Sequence, residues 1–219
     1  MAVSDLHKYP RPSVAVDVAL LTVDQGRLKV ALIHRESGDK SGELSLPGTF
    51  LHEGEQLVDA ALRCLVDKAG VRGFHPRQLH VFDDPQRDDR GWVLSVAHVD
   101  VVRLEDLREA IDRGNLQLVD IGMIDKLPYS HDEIIQKAVE SVQHNYGENP
   151  DPWGLLEQPF IMSQLRDLHE SVLGCALQRD TFRRQMEPKL QKTEKTAVPP
   201  AARGGSEARG RPARLYRRN

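Results

Sequence analysis

The stretch from Pro47 to Val71 constrains the fold more than any other. A short β-rich segment, Gly42 to Leu51, is stopped there by Pro47-Gly48. A helix is then expected over residues 55–69, because Leu57, Ala61, Leu65 and Ala69 recur every four residues as one apolar stripe. Gly70 is its stop signal. The surroundings add strands. Val14 to Leu21 and Leu28 to His34 flank Asp24-Gln25-Gly26 and read as a hairpin. Trp92 to Val102 reads as a strand, Leu104 to Arg113 as a helix ending at Gly114, and Leu116 to Met123 as a closing strand. The class is therefore α/β in the α+β sense, a mixed sheet with flanking helices.

From Ser130 only helices are expected. Ile134, Ile135, Ala138, Val139 and Val142 mark one face of a long helix, with Ser130 or His131 at its cap and Asn149-Pro150-Asp151-Pro152 as its break. Leu165, Leu168, Val172 and Leu173 define a second helix over 163–173, ended by Gly174. A third runs from Arg179 to Glu187, where Pro188 stops it. Two helices joined by a short Gly-containing turn suit a helix-turn-helix. Residues 193–214 are rich in Pro, Gly, Ala and Arg and read as disorder, although Leu215-Tyr216 suggests a returning strand. The boundary is expected near residues 124–130, dividing the chain into 1–128 and 129–219.

Hydrophobic residues make up 39% of the 219 and glycines number 16, which excludes a chain disordered throughout, collagen and coiled coil. Cys64 and Cys175 lie too far apart for a disulfide framework. MAVSDLHKYP contains no apolar signal core. The most apolar stretch, Val14 to Val23, is interrupted by Asp17 and is too short to span a bilayer. A cytoplasmic protein without a membrane partner is expected. The net charge of −3 hides a segregation: residues 179–219 carry 12 Lys and Arg against 4 Asp and Glu, and the rest carries 18 against 29. A basic end on an acidic body suits a polyanion contact confined to the C-terminal part, or else a solvated basic tail.

Residues 47–71, PGTFLHEGEQLVDAALRCLVDKAGV, resemble the Nudix box G-x5-E-x7-R-E-U-x-E-E-x-G-U, with U a bulky aliphatic residue. Glu55, Arg63, Leu65, Gly70 and Val71 stand at matching positions. Thr49 replaces the first glycine, Cys64 the glutamate after the arginine, and Asp67-Lys68 the glutamate pair. Positions 64, 67 and 68 are spaced to share one helix face. In Nudix enzymes that face gathers carboxylates that hold Mg²⁺ against a pyrophosphate. Mg²⁺ demands hard oxygen ligands, so a thiol and an ammonium do not serve, and neither a metal site nor a catalytic residue is expected. Lys68 could otherwise pair with Asp67 or Glu55 as a surface charge. A pocket shaped for a nucleoside diphosphate would remain. Arg35, Arg87 and Arg90 suit a diphosphate, with Phe82 or Trp92 to stack on a base, unless residues 82–92 are only a solvated loop with a buried tryptophan.

Taken with YPRPSVAVDVALLTV at 9–23, FDDPQRDDRGWVLSVAHV at 82–99, PYSHDEIIQKAVE at 128–140, RDTFRR at 179–184 and GRPARLYR at 210–217, the chain resembles the Nudix-related transcriptional regulators of bacterial NAD metabolism. The resemblance implies a Nudix sensor domain followed by a mostly helical winged helix-turn-helix domain. It implies a repressor of NAD synthesis or salvage genes, cytoplasmic and on the nucleoid when bound. The implied effector is ADP-ribose or a related nucleotide, with no required cofactor. The implied partners are a palindromic double-stranded DNA operator and a second copy of the chain. Arg179, Thr181, Arg183 and Arg184 are expected to project from the third helix toward a major groove, or else to form a solvated basic face, and Arg211 and Arg214 would supply the basic wing. Gln178 stands where the family often has a capping Asp, which is expected to weaken that cap. Two rival readings stay open: an ADP-ribose pyrophosphatase using Asp67 and Glu55, and a Nudix-derived protein-interaction module.

Overall fold

A computed structural model of the chain describes residues 8–35, 40–197 and 212–219. Strands β1 (Ser13–Asp24) and β2 (Arg27–His34) form the expected hairpin. Its turn residues Gln25 and Gly26 both have positive φ, the geometry that matches strand twist in a tight hairpin. Strands β3 (Leu44–Ser45), β4 (Gly48–Phe50), β5 (Arg77–Phe82), β6 (Val93–Val101) and β7 (Gln117–Asp120) complete a seven-stranded sheet. Its main order is β3-β2-β1-β6-β5, with β4 on β1 and β7 on β2. Among the described strands only β1 and β6 pair in parallel, so the sheet is mixed.

Strand β1 is buried along most of its length because both sheet faces are covered. Val16, Val18 and Leu20 face α1 (Leu57–Cys64) and α2 (Leu104–Asp112), packing with Ala60, Ala61, Leu65, Leu107 and Ala110. Ala19 and Leu21 face α3 (His131–Glu148) and α4 (Met162–Leu173), packing with Ile134, Ala138, Val142 and Val172. Helix α3 thus lies under the sheet of the first half, although the expected boundary falls just before it. A separate small core joins β8 (Phe160–Ile161), α4, α5 (Arg179–Met186), β9 (Leu190–Ala197) and β10 (Ala213–Arg218) through Phe160, Leu165, Phe182, Met186, Leu190 and Tyr216. Its three strands run β8-β10-β9. This helix-turn-helix with a β-wing matches the expected second architecture.

Several expectations need correction. Pro47-Gly48 does not end the strand region: β3 stops at Ser45, and β4 starts at Gly48 and pairs with β1. The box helix begins at Leu57, not 55, because Gln56 is extended and Glu55 lies in the preceding turn. Strand β5 had no periodic signal, since an edge strand exposed along most of its length carries no apolar alternation. Ser130 precedes α3 in a left-handed conformation and caps nothing with its side chain. The expected disorder from 193 gives way to β9 through Ala197, which pairs with β10. Arg211 lies outside the described residues. Among the described residues no helix is long and apolar enough to cross a membrane.

Candidate functional site

The box segment is stapled by one ion pair. Arg63 Nε donates to Glu55 Oε1 at 2.7 Å and its Nη2 to Oε2 at 2.9 Å. The same guanidinium reaches Thr49 Oγ1 and the Phe50 carbonyl, while Glu55 Oε2 also accepts from the His52 N–H. The Arg63 bonds hold the Glu55 carboxyl down at about 2. Both charges are therefore engaged in shaping the loop.

Beyond Cys64 the helix widens into a π turn over Leu65–Ala69, ended by Gly70 at φ 70°. Residues 64, 67 and 68, expected on one face, differ in exposure. Cys64 is 1% exposed, and burial pushes its thiol up to about 12. Asp67 and Lys68 are exposed.

A cavity of about 130 Å³ opens beside this turn. Arg35, Lys68, Arg87 and Arg90 line it, with Asp17, Asp88, Phe50, Tyr129 and His131. Asp17 sits on β1 and is buried. Gly48 is required opposite, since any Cβ there would overlap Asp17 Oδ1. Ser95 Oγ donates to Asp17 at 2.5 Å, His131 Nε2 lies 3.4 Å away and Arg87 Nη2 3.7 Å away. Burial opposes ionisation of Asp17, but His131, Ser95 and Arg87 outweigh it and hold its pKa below the ordinary carboxylate value. His131 Nδ1 accepts from the Leu46 N–H, which leaves Nε2–H to face Asp17.

The arginines differ in what they can do. Arg87 is a buried strut whose Nη2 donates to the Tyr129 carbonyl at 2.7 Å. Arg90 is held bidentately by Asp88, at 2.9 and 2.7 Å, and lies over the Tyr129 and Phe50 rings at 4.2 and 5.3 Å. Arg35 lies 4.8 Å over the Tyr129 ring. Among the described residues the Tyr129 hydroxyl and the Nε atoms of Arg35 and Arg87 are buried without a hydrogen-bond partner. Tyr129 and Ser130 both occupy the left-handed region, at φ 59° and 55°, a strained conformation that tends to mark functional sites. Phe82 does not join the pocket: it packs against the core of β1 and α3 and touches His80 edge-on. Trp92 is half exposed and also lies outside it. Phe50 and Tyr129 present the aromatic faces instead. Asp17, Tyr129 and His131 were not chosen from sequence as site residues. Asp17 had one visible signal, a charge in the middle of an apolar run.

A second, larger groove of about 600 Å³ lies between α4, α5 and the wing. Arg179, Arg183 and Arg214 line it together with Arg166, which the sequence reading passed over. Arg183 is held by Glu187, with Nε to Oε2 at 2.9 Å. Arg184 is exposed and reaches Thr181 Oγ1 at 3.5 Å. Gln178 proves an adequate cap: its Oε1 accepts from the Thr181 N–H at 2.6 Å, because glutamine's longer arm still reaches the N3 amide.

The NUDIX domain family profile matches residues 11–137, over half of the chain. The chain belongs to the Nudix family. Residues 152–218 match the profile of the NrtR DNA-binding winged helix domain. An Acinetobacter baylyi protein, the ADPR-responsive transcriptional repressor NtrR, is 27% identical over 95% of this chain and 83% of its own length. Shewanella oneidensis NrtR, solved with a 27-mer DNA, is similar at a TM-score of 0.76 and 28% identity, covering 94% and 93% of the two chains. Its NUDIX domain, solved with ADP-ribose, aligns at a TM-score of 0.52 and 25% identity, over 63% of this chain and 92% of that domain. An ADP-ribose pyrophosphatase of Methanocaldococcus jannaschii is 31% identical over 60% of this chain and 78% of its own length. Nudix enzymes employ Mg²⁺, and these residues do not fit it. An ammonium, Lys68, faces the pocket; the Cys64 thiol is buried and protonated; Glu55 is locked to Arg63. Among the described residues no three His, Cys, Asp or Glu side chains converge as a metal site.

Proposed function

We propose that the chain is an ADP-ribose-responsive transcriptional repressor of NAD-related genes. In this reading residues 1–128 sense the nucleotide and 129–219 bind the operator, with α3 shared between them. One observation carries it. Helix α3 begins in the cationic pocket at His131 and ends against the winged helix, where Tyr146 meets His169 of α4 at 5.0 Å and His169 meets Phe182 of α5 at 5.0 Å. A nucleotide that repositions Tyr129 or His131 therefore pushes on an 18-residue rod that abuts the DNA-reading helix. Coupling requires that the nucleotide favour one position of this rod over another.

The diphosphate would lie against Arg35, Arg90 and Lys68, with Phe50 beneath a base; Arg87 supports the pocket from behind. Hydrolysis is not part of the reading. Residues 64, 67 and 68 supply one short carboxylate where metal-assisted cleavage needs a bound ion to clamp the phosphates. ADP-ribose incubated with the native protein and Mg²⁺ should bind and persist intact. Efficient turnover followed by chromatography would favour a pyrophosphatase instead. The regulator reading places the chain in the cytoplasm, as a homodimer on a palindromic operator and on the nucleoid when bound.

On DNA, Arg179, Thr181, Arg183 and Arg184 would read the bases, and Arg214 would contact phosphates, a role the sequence also suggests for Arg211. Arg184 is the freer reader, since Arg183 must first leave Glu187. The R184A variant should lose about 1–3 kcal/mol of operator affinity and relax specificity at one position. The R214A variant should weaken all duplexes alike and lower the salt slope by about one unit. Anisotropy titrations of operator and scrambled duplex across salt compare them; a changed base preference in R214A would contradict the assignment.

A further inference from the structure

We propose that Lys68 takes the place of the metal ion, so that ADP-ribose binds this pocket without any divalent cation. The inference rests on the nucleotide-sensor reading above and adds what neutralises the diphosphate. Lys68 lines the cavity from the π turn, at a position where the Nudix box carries a metal-binding carboxylate. Its ammonium makes no ion pair or hydrogen bond with any described residue. The two carboxylates that share the cavity are already engaged: Asp17 by Ser95, His131 and Arg87, and Asp88 by both nitrogens of Arg90. Four permanent cations thus face two committed carboxylates. The unpaired Nε donors of Arg35 and Arg87 point to the same need for an acceptor-rich ligand.

A Mg²⁺ ion entering here would meet an ammonium and find no free carboxylate set. A lysine gives a single positive charge and three donors with no fixed coordination geometry. That suffices to hold anionic oxygens, but it activates no water for attack on phosphorus. Binding and cleavage, which one metal serves together in a hydrolase, are thereby separated, and the effector survives its own detection.

The test is calorimetric titration of the full chain with ADP-ribose, once in EDTA and once in excess Mg²⁺. The native affinities should agree within about twofold, a negligible energy difference. The K68M variant should bind about tenfold to a hundredfold more weakly, the loss expected for a charge-assisted contact. K68R should retain most of the affinity. K68E should bind poorly in EDTA and regain affinity in Mg²⁺, because a carboxylate restores a ligand for the ion. Lys68 is exposed, so the thermal transitions of the variants should match the native one and separate lost binding from lost folding. Native binding only in Mg²⁺, or unchanged affinity in K68M, would overturn the inference while leaving the sensor reading intact. Native protein that binds in neither medium would overturn the sensor reading and this inference with it.

Discussion

Replacing Asp151 with alanine should cost about 3–5 kcal/mol of unfolding free energy, measured by urea titration at neutral pH. Asp151 lies in the loop between α3 and β8 and its side chain is fully buried. One carboxylate oxygen accepts from the Tyr146 hydroxyl at 3.3 Å and the Leu155 N–H at 2.8 Å. The other accepts from the Leu156 N–H at 2.9 Å and from the Arg218 guanidinium of β10. This residue therefore ties the end of α3 to the last strand of the wing. Alanine leaves two backbone donors unpaired and leaves a largely buried guanidinium with the Leu156 carbonyl in place of its counter-charge. Asparagine keeps acceptor capacity and tolerates the left-handed φ of 50° at this site. The D151N loss should be smaller, about 1–3 kcal/mol. A D151A loss below about 1 kcal/mol would refute the assigned role.

Acid should weaken the same joint. His169 is buried between Tyr146 and Phe182 and its Nε2 accepts from the Asp151 N–H, which makes the neutral ring the fitting form. Burial lowers its pKa from 6.5 to about 4. Above the unfolded value both states are neutral and stability is level. As pH falls from about 6.5 toward 4, the unfolded chain takes up a proton that the folded chain refuses, so stability drops by about 3 kcal/mol in all. Buried His98 of β6, also lowered by burial, adds to the fall. Urea midpoints at pH 7, 6 and 5 in native protein and H169L separate the two histidines. The slope should flatten in H169L; an unchanged slope would show that His169 does not titrate as described.

The helical half was legible because its apolar residues recur at helical spacing: Leu165, Leu168 and Val172 face inward as expected, and Phe182 and Met186 fill the small core. The hairpin and the parallel partner strand announced themselves through β-branched runs. Strands β5 and β9 did not, since an exposed edge and a solvated wing need no apolar alternation. The pocket was only half legible. Arg35 and Arg90 were found as charges near strand ends. Asp17, Tyr129 and His131 meet them only through long-range packing, and no local spacing relates residue 17 to residue 131. The resemblance supplied the frame of the Nudix box, but the π turn over Leu65–Ala69 has no sequence signature of its own. Arg166 stayed hidden because an exposed helical arginine looks the same whether it borders a groove or plain solvent.

In the proposed sensor, charge would be supplied by side chains and the response would travel along α3. That account is tested most directly by binding of the full chain to a duplex from the region upstream of its own gene, with ADP-ribose titrated in the presence of EDTA. The account predicts tighter binding than to a scrambled duplex, a change of about tenfold or more in duplex affinity at saturating ADP-ribose, and an equal reciprocal change in ADP-ribose affinity. ADP-ribose that binds while duplex affinity stays constant, or a duplex bound no better than its scrambled form, would contradict it.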